Sequence, residues 1–203
     1  KLPEKLLVHG YLNIGGKKMS KSLGNTLDPL KLLEKYTSDS IRYSLLRNSV
    51  FDDSDYSEDL LIERHNNELA NKLGNLVSRV TGLAEKYGAE KTENKLLKKF
   101  KLKEIEKHIE NYKFDKALNE IFSFIDTCNE YVQKNKIWET KNKKQIYELL
   151  DSIKTIAIFL WPFIPETSEK IAKNLGFDIK FENITKPLKV KKIKKEDILF
   201  KKI

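Results

Sequence analysis

Apolar residues recur at helical spacing over most of the chain. In the first long segment they follow at steps of four, three, four and three residues, and they are Leu69, Leu73, Leu76, Val80 and Leu83. Because an α-helix turns once every 3.6 residues, these side chains share one face, as the buried stripe of a packed helix does. Two later segments repeat the pattern, through Ala117, Ile121, Phe124, Cys128 and Tyr131 and through Ile146, Leu149, Ile153, Ile156 and Leu160. The pattern predicts an α-helical bundle.

Capping residues predict where these helices begin and end. Ser57 is followed by two acids, which suit the positive end of a helix dipole, so we predict that the first long helix begins there. A weakly amphipathic, basic helix is predicted over 97–112, and a short one from Pro165 to near Gly176. In the tail that follows, lysines alternate with apolar residues, which predicts an extended segment packed on the bundle.

The first 57 residues show a different pattern. The segment 8–14 is short, mixed in polarity and bounded by glycines, which predicts a strand leading into a Gly15-Gly16 turn. Asp28-Pro29 predicts the start of a short helix, and a second helix is predicted to begin at Ser38. The acidic run 51–55 lacks the glycine and distal glutamate of a calcium loop, so we predict a solvated turn.

These elements predict a mainly α fold in two parts. A short α/β segment is expected over residues 1–57, and an α-helical domain over residues 58–203. With 203 residues, the chain is long enough for such a division and for a substantial core.

A formal net charge of +9 indicates a polyanionic partner. Lys and Arg number 39 against 30 Asp and Glu, a balance that favours nucleic acid or a membrane surface. No apolar run approaches the roughly 20 residues of a membrane span, and no signal peptide is recognisable. We therefore expect a cytoplasmic protein that does not have a membrane as its partner.

Metal-binding residue types are sparse. Cys128 is the only cysteine, and His9, His65 and His108 are scattered along the sequence. An intrachain disulfide and a thiolate metal cluster are therefore excluded, and we predict no metal site.

Lys18-Met19-Ser20-Lys21-Ser22 has the composition of a phosphate-binding loop. Two ammonium groups stand three residues apart with a hydroxyl between them, and the flanking glycines let backbone approach a ligand. In a chain this rich in lysine, composition leaves a solvated basic turn open as the alternative.

The string HGYLNIGGKKMSKSLGN around this loop resembles the signature loop of class I aminoacyl-tRNA synthetases, in particular of the methionyl family. Further similarity lies in ELANKLGNLVSR, FDKALNEIFSFIDTCNEY and LWPFIPETSEKIAKNLG, so the resemblance spans essentially the whole chain. It does not extend to the His-Ile-Gly-His motif or to the nucleotide-binding half that such enzymes carry upstream. The resemblance therefore implies a C-terminal portion or a split subunit, which alone would be an incomplete catalyst.

For the loop, the resemblance implies ATP binding and a part in catalysis. It assigns the stabilisation of the departing pyrophosphate to Lys21, with Lys18 in a supporting catalytic role. Ser20 and Ser22 complete the implied ATP-binding set. ATP would enter as its Mg²⁺ complex, as a substrate of the whole enzyme. The family's histidine-glycine pair corresponds to His9-Gly10, and we interpret this histidine as structural.

Asn75 and Arg79 form a second candidate site. Four residues apart on the predicted helix, they point the same way, at the margin between the buried stripe and solvent. An amide and a guanidinium side by side can read base edges, although a polar flank that is merely solvated is the ordinary alternative. The resemblance favours base reading, because ELANKLGNLVSR is similar to the helix with which methionyl-tRNA synthetases read the anticodon.

Trp138 is the third candidate. It lies at the end of the predicted helix through Tyr131, outside the apolar spacing and among lysines, where a base can stack on its ring. The family has a tryptophan that stacks on an anticodon base in a similar segment, usually preceded by proline, where this chain has Ile137. Trp161, in contrast, is expected to be buried in the core.

The resemblance implies a function for the whole enzyme. The enzyme would activate methionine with ATP and Mg²⁺ and transfer it to tRNA(Met). This chain would supply the loop, bind the CAU anticodon and work with the catalytic N-terminal half or subunit. Its nucleic-acid partner would be tRNA(Met) and not DNA.

Three alternatives remain open. The chain could be the equivalent part of a synthetase for isoleucine, valine, leucine or cysteine, a non-catalytic tRNA-binding protein that keeps the loop, or a purely structural helical scaffold. Asn75, Arg79 and Trp138 together argue against the first and the third. The intact loop argues against the second.

Overall fold

The computed structural model describes residues 2–22, 24–190 and 193–203. The remaining four residues lie outside the described part: Lys1, Leu23 in the flank of the lysine loop, and Lys191 and Lys192 in the predicted tail.

The amino-terminal part contains a small sheet of β1 (Leu12–Ile14), β2 (Lys17–Lys18) and β3 (Ser54–Tyr56), in the order β2-β1-β3. β1 and β2 form an antiparallel hairpin, and β3 pairs with β1 in parallel. Gly15 and Gly16 make the turn with φ angles of +61° and +71°, a conformation that favours glycine.

The predicted strand over 8–14 is shorter in the structure, because the segment before Leu12 lies against a loop instead. Gly10 donates its N–H to the carbonyl oxygen of Val50 at 2.9 Å. A Cβ at Gly10 would stand 2.2 Å from the Asp52 carbonyl oxygen, so a side chain there would displace the backbone.

The acidic run is exposed, but the prediction that it is merely solvated is wrong. Asp53 Oδ1 accepts the backbone N–H of Tyr11 at 2.7 Å, and Asp55 Oδ2 accepts that of Gly16 at 3.1 Å. The carboxylates therefore tie the β1–β2 hairpin to β3.

Helices α1 (Pro29–Lys35) and α2 (Ser38–Leu46) follow the hairpin and begin where the sequence predicted. Asp28 Oδ1 caps α1 by accepting the N–H of Leu30 at 3.0 Å, and Pro29 occupies the first turn. The hydroxyl of Thr37 caps α2.

The first long helix begins at Ser57, as predicted, and Ser57 accepts the N–H of Leu60 at 3.3 Å. It consists of α3 (Glu58–Arg64), a π-helical stretch (His65–Gly74) and α4 (Asn75–Tyr87). The π-helical stretch was not predicted. All five residues of the predicted stripe are buried, which confirms the face.

The remaining helices are α5 (Leu102–Glu110), α6 (Phe114–Lys134), α7 (Ile137–Thr140), α8 (Lys143–Leu160) and α9 (Pro165–Leu175), with 3-10 turns at Leu96–Lys99 and Phe181–Asn183. Helix α9 begins at Pro165 and is capped after Leu175 by Gly176, whose φ is +73°, as predicted. α4, α6, α8 and α9 pack around one apolar core.

The prediction of one helix over 97–112 is wrong. The chain leaves the helical path at Phe100, which is buried edge-on against Phe124 at 5.0 Å and Phe159 at 5.2 Å between ring centroids. Burial of that ring in the core outweighs continuation of a short, strongly charged helix.

The tail packs on the bundle, as predicted. Its buried side chains are Ile184, Leu188, Ile193 and Phe200. Near its end, the carbonyl oxygen of Lys201 accepts a hydrogen bond from Nε2 of the buried His65 at 2.7 Å. In the described part of the chain, no helix is both long enough and apolar enough to cross a membrane.

A polar joint holds α2 against α9. Asp39 is buried and accepts the N–H of Thr167 at 2.7 Å and its hydroxyl at 2.6 Å. Arg42 donates to the carbonyl oxygens of Phe163 and Pro162, at 3.1 and 2.7 Å. The segment that bears the lysine loop is thereby fixed to the bundle.

Trp161 is not a core residue, and that prediction is wrong. It is 44% exposed, and its indole N–H donates to Glu169 at 3.2 Å. It follows the last residue of α8, at the helix turn beside the α2–α9 joint, where a large ring can lie partly in solvent.

Candidate loop and nucleic-acid interface

The lysine loop is held by one asparagine that the sequence reasoning did not assign. Asn25 Oδ1 accepts the N–H of Ser20 at 2.9 Å, and its Nδ2 donates to the Lys18 carbonyl oxygen at 3.2 Å. The hydroxyls of Ser20 and Ser22 lie 2.8 Å apart. Asn25 is the last residue of the string quoted above, three residues after Ser22. Its amide can donate and accept at once, which is the signal that could have identified it.

The two lysines of the loop have different surroundings. Lys18 Nζ lies 3.9 Å from the ring centroid of Tyr11, a cation–π contact that holds it over the hairpin. Lys21 is exposed, and within the described residues its ammonium has no acidic or aromatic partner. Its carbonyl oxygen accepts the N–H of Gly24 at 3.2 Å, so the backbone of the loop closes while the charge stays available.

Arg79 is fixed by a second asparagine that was not predicted. Arg79 is half-buried, and its Nη2 donates to Asn129 Oδ1 at 2.8 Å, whereas Asn75 is exposed one turn earlier on α4. Asn129 Nδ2 in turn donates to the Lys72 carbonyl oxygen at 3.3 Å. Burial lowers the pKa of the Arg79 guanidinium from its ordinary value.

Trp138 lies on its own short helix and not on the preceding one. α6 ends at Lys134, and Trp138 lies in α7, 39% exposed. Ile137, in the place of the family's proline, is fully buried and anchors the turn. Lys136 and Lys141, which flank α7, have φ angles of +44° and +52°. For residues with a side chain this conformation costs about 1–2 kcal/mol. The packing of the surrounding residues therefore holds the two lysines in it.

Arg79 and Trp138 lie toward the same end of the bundle. Asn129, which holds Arg79, precedes the end of α6 by five residues, which is about 7.5 Å at the helical rise. At the end of α4, Lys141 Nζ approaches the ring of Tyr87 to 5.6 Å. The chain between α6 and α8 is thereby fastened to α4.

The loop and this end of the bundle are two separate candidate sites. Among the described residues, no hydrogen bond or ion pair joins residues 18–22 to Asn75, Arg79 or Trp138. Nor does the part of the chain with known placement contain three or more His, Cys, Asp or Glu side chains grouped to hold a metal ion.

Two family models match the chain in succession. One, described as tRNA synthetases class I (M), matches residues 1–81, and the other, the anticodon-binding domain of tRNA ligase, matches residues 93–202. The second alone covers more than half of the chain. The helical bundle and the lysine-loop segment are thus those of a class I tRNA synthetase that carries an anticodon-binding domain.

Curated relatives of the chain are methionine–tRNA ligases. The methionine–tRNA ligase of Ureaplasma parvum is 36% identical over 203 aligned positions, which cover 89% of this chain and 39% of the relative. That of Thermotoga maritima is 33% identical, over 88% of this chain and 32% of the relative. The chain therefore spans 32% to 39% of the length of these relatives.

Solved structures that are similar to the chain are also methionyl-tRNA synthetases. A methionyl-tRNA synthetase of Mycobacterium tuberculosis, in complex with methionyl-adenylate, superposes with a TM-score of 0.89 at 26% identity, covering 98% of this chain and 44% of that one. Its apo form gives a TM-score of 0.86 at 23% identity. The chain belongs to the methionyl-tRNA synthetase family.

Proposed function

We propose that the chain is the region of a methionine–tRNA ligase that contributes its lysine loop to methionine activation and binds the CAU anticodon of tRNA(Met). The observation that carries the anticodon part is Arg79, held in a half-buried position by Asn129 at the end of the bundle that also bears an exposed tryptophan. In this proposal, residues 1–57 are the loop-bearing segment and residues 58–203 the anticodon-binding domain. Its partners are tRNA(Met) and the nucleotide-binding region of the same enzyme.

In the proposed activation step, a carboxylate oxygen of methionine attacks the α-phosphorus of ATP. The bond from that phosphorus to the bridging oxygen breaks, and pyrophosphate leaves with the negative charge. The exposed Lys21 ammonium supplies positive charge to the leaving group, where it stabilises the transition state more than bound ATP. ATP takes part as its Mg²⁺ complex. Lys18, Ser20 and Ser22 hold the loop and bind the phosphates of ATP.

In the proposed anticodon site, Asn75 and Arg79 read base edges and Trp138 stacks on a base. Asn129 occupies one donor of Arg79, which restricts the orientation of the guanidinium. Because Nε is buried, only the remaining N–H groups of Nη1 and Nη2 are left for the ligand. A ring that is 39% exposed has a face available for stacking, which is worth about 1–3 kcal/mol per base.

Anticodon discrimination tests this proposal directly. We expect the chain to bind a tRNA transcript with the anticodon CAU more tightly than one with a single changed anticodon base, by about 1–3 kcal/mol. Arg79→Ala and Trp138→Ala should abolish this difference. Binding should be measured at one fixed salt concentration of about 150 mM, because phosphate contacts make affinity salt-dependent.

Trp161→Ala is the matched control, because Trp161 is an exposed tryptophan elsewhere on the same bundle. It should leave the discrimination intact. Equal binding of both transcripts by the unmodified chain would contradict anticodon reading and leave only non-specific attraction to a basic protein.

Asn129 should act as a positioning residue for Arg79. We expect Asn129→Ala to reduce the discrimination between the two transcripts, with no further loss when Arg79→Ala is already present, because both changes remove the same hydrogen bond. Fluorescence titration of the single and double variants with both transcripts gives the coupling energy.

Asn119→Ala provides the comparison. Asn119 lies on the same helix and accepts from a different arginine, with Arg47 Nη1 at 2.5 Å from its Oδ1. It should leave discrimination unchanged. Full discrimination in Asn129→Ala would refute the positioning role.

A further inference from the structure

A cleft of about 390 Å³ lies beside the Trp138 turn, which is α7 with its flanking residues Lys136 and Lys141. Its walls are the 92–99 segment, the end of α6 and the first turns of α8, and its lining includes Lys95, Lys99, Tyr131, Lys144 and Gln145. Gln145 Nε2 donates to Asn135 Oδ1 at 3.1 Å, and Asn135 lies immediately before the Trp138 turn. The cleft and the proposed base-stacking ring are thus fixed to each other.

The acidic residues of the cleft are already engaged. Glu148 is buried, and its two oxygens accept the N–H of Lys95 at 3.0 Å and the hydroxyl of Tyr131 at 2.7 Å. Burial and the adjacent Glu148 raise the pKa of Tyr131 to about 12, so this hydroxyl remains a donor at neutral pH. Glu93 pairs with Lys98 at 3.5 Å.

Two of the three lysines that line the cleft are not paired with an acid. Lys144 forms an ion pair with Glu90 at 3.6 Å at the rim. Neither Lys95 nor Lys99 forms an ion pair with any residue that the structure describes. Two ammonium groups with no anionic partner therefore line a concave surface.

Positive charge is concentrated where the cleft meets the Trp138 turn. Five of the eleven residues from 134 to 144 are lysines, and Glu139 is the single acid among them. A single-stranded nucleic acid that stacks a base on an aromatic ring commonly continues along a positively charged groove.

We propose that this cleft binds the phosphodiester backbone of the tRNA next to the anticodon, with Lys95 and Lys99 binding its phosphates. The inference rests on the proposed function and adds sequence-independent binding to it. Phosphate contacts position a nucleic acid without distinguishing bases, so this cleft supplies affinity while Arg79 and Trp138 supply discrimination.

The double variant Lys95→Gln/Lys99→Gln tests the inference. Affinity for the CAU transcript and for the transcript with a changed base should fall by the same factor, so that their ratio is preserved. The slope of log affinity against log salt concentration should become shallower by about 1.4, because each phosphate of a single strand that a lysine neutralises adds about 0.7 to that slope.

Lys170→Gln/Lys173→Gln is the matched control. These exposed lysines of α9 line a second cleft of about 390 Å³, which also contains Lys194 and has no hydrogen bond to the Trp138 turn within the described ranges. The control should retain the original slope. An unchanged slope in the first variant, or an equal change in both, would overturn the inference.

The two proposals can fail separately. If the unmodified chain does not distinguish the transcripts, anticodon reading fails, while a shallower slope specific to the Lys95/Lys99 variant still supports the cleft. If discrimination is present but the slope is unchanged in that variant, the cleft proposal alone is overturned.

Discussion

Replacement of Lys154 by Met is expected to lower the free energy of unfolding by about 3–5 kcal/mol. The Lys154 side chain is only 2% exposed, and its Nζ lies 2.9 Å from Asp151 Oδ1, itself 6% exposed. Lys154 also donates to the Lys186 carbonyl oxygen. Without the ammonium, the Asp151 carboxylate remains buried without its counter-charge, and desolvation of an unpaired charge is costly.

Asp151 connects segments that are distant in sequence. Its Oδ1 accepts the N–H of Leu188 in the tail at 2.9 Å, and its Oδ2 accepts from Asn94 at 3.0 Å. Loss of the ion pair should therefore loosen the tail and the 92–94 segment as well as α8. Hydrogen exchange of the Leu188 amide would report this loosening.

Lys186→Met is the control for this experiment. Lys186 pairs with Glu182 at 3.1 Å, but both side chains are about 60% exposed or more. Such a surface pair contributes about 0–1 kcal/mol. Urea unfolding should show a larger decrease in the free energy of unfolding for Lys154→Met than for Lys186→Met. A decrease below about 1 kcal/mol in Lys154→Met would show that the Lys154–Asp151 pair does not determine stability.

Lys21→Ala is expected to slow methionyl-adenylate formation by about 10²–10³, the usual cost of losing one group that stabilises transition-state charge. The measurement is ATP–pyrophosphate exchange with the amino-terminal region of such enzymes supplied. Because the Lys21 side chain is exposed and makes no ion pair within the described residues, the substitution should leave the unfolding transition in place. A lower kcat at unchanged stability is the expected signature.

Lys17→Ala is the comparison for this variant. Lys17 is an exposed lysine of the same hairpin, in β2 beside Lys18, and the resemblance gives it no role. It should retain the exchange rate. A rate in Lys21→Ala equal to that of Lys17→Ala would argue against leaving-group stabilisation by Lys21.

The sequence was sufficient for the helices and for several of their ends. Each stripe of apolar residues proved to be a buried face, because helical periodicity requires only local geometry and a core to pack against. Ser57, Asp28-Pro29 and Gly176 marked helix ends correctly, because capping depends on groups within one turn. The family resemblance likewise depended on short strings that the sequence contains in full.

Errors arose where long-range packing determines the outcome. The helix predicted over 97–112 is interrupted because Phe100 finds two aromatic partners on α6 and α8. Trp161, which was expected in the core, is 44% exposed after the last residue of α8. The acidic run is tied to the hairpin because β3 pairs with β1 across a long separation in sequence.

By itself, the sequence determined the mainly helical fold, the lysine loop and the identity of the candidate residues at 75, 79 and 138. Only the tertiary structure placed Asn129 against Arg79, fifty residues away, and Asn94, Lys154 and Leu188 around Asp151. The physical reason is that periodicity and caps depend on near neighbours. Which polar side chains are buried together depends on how the helices pack, and no local pattern specifies that packing.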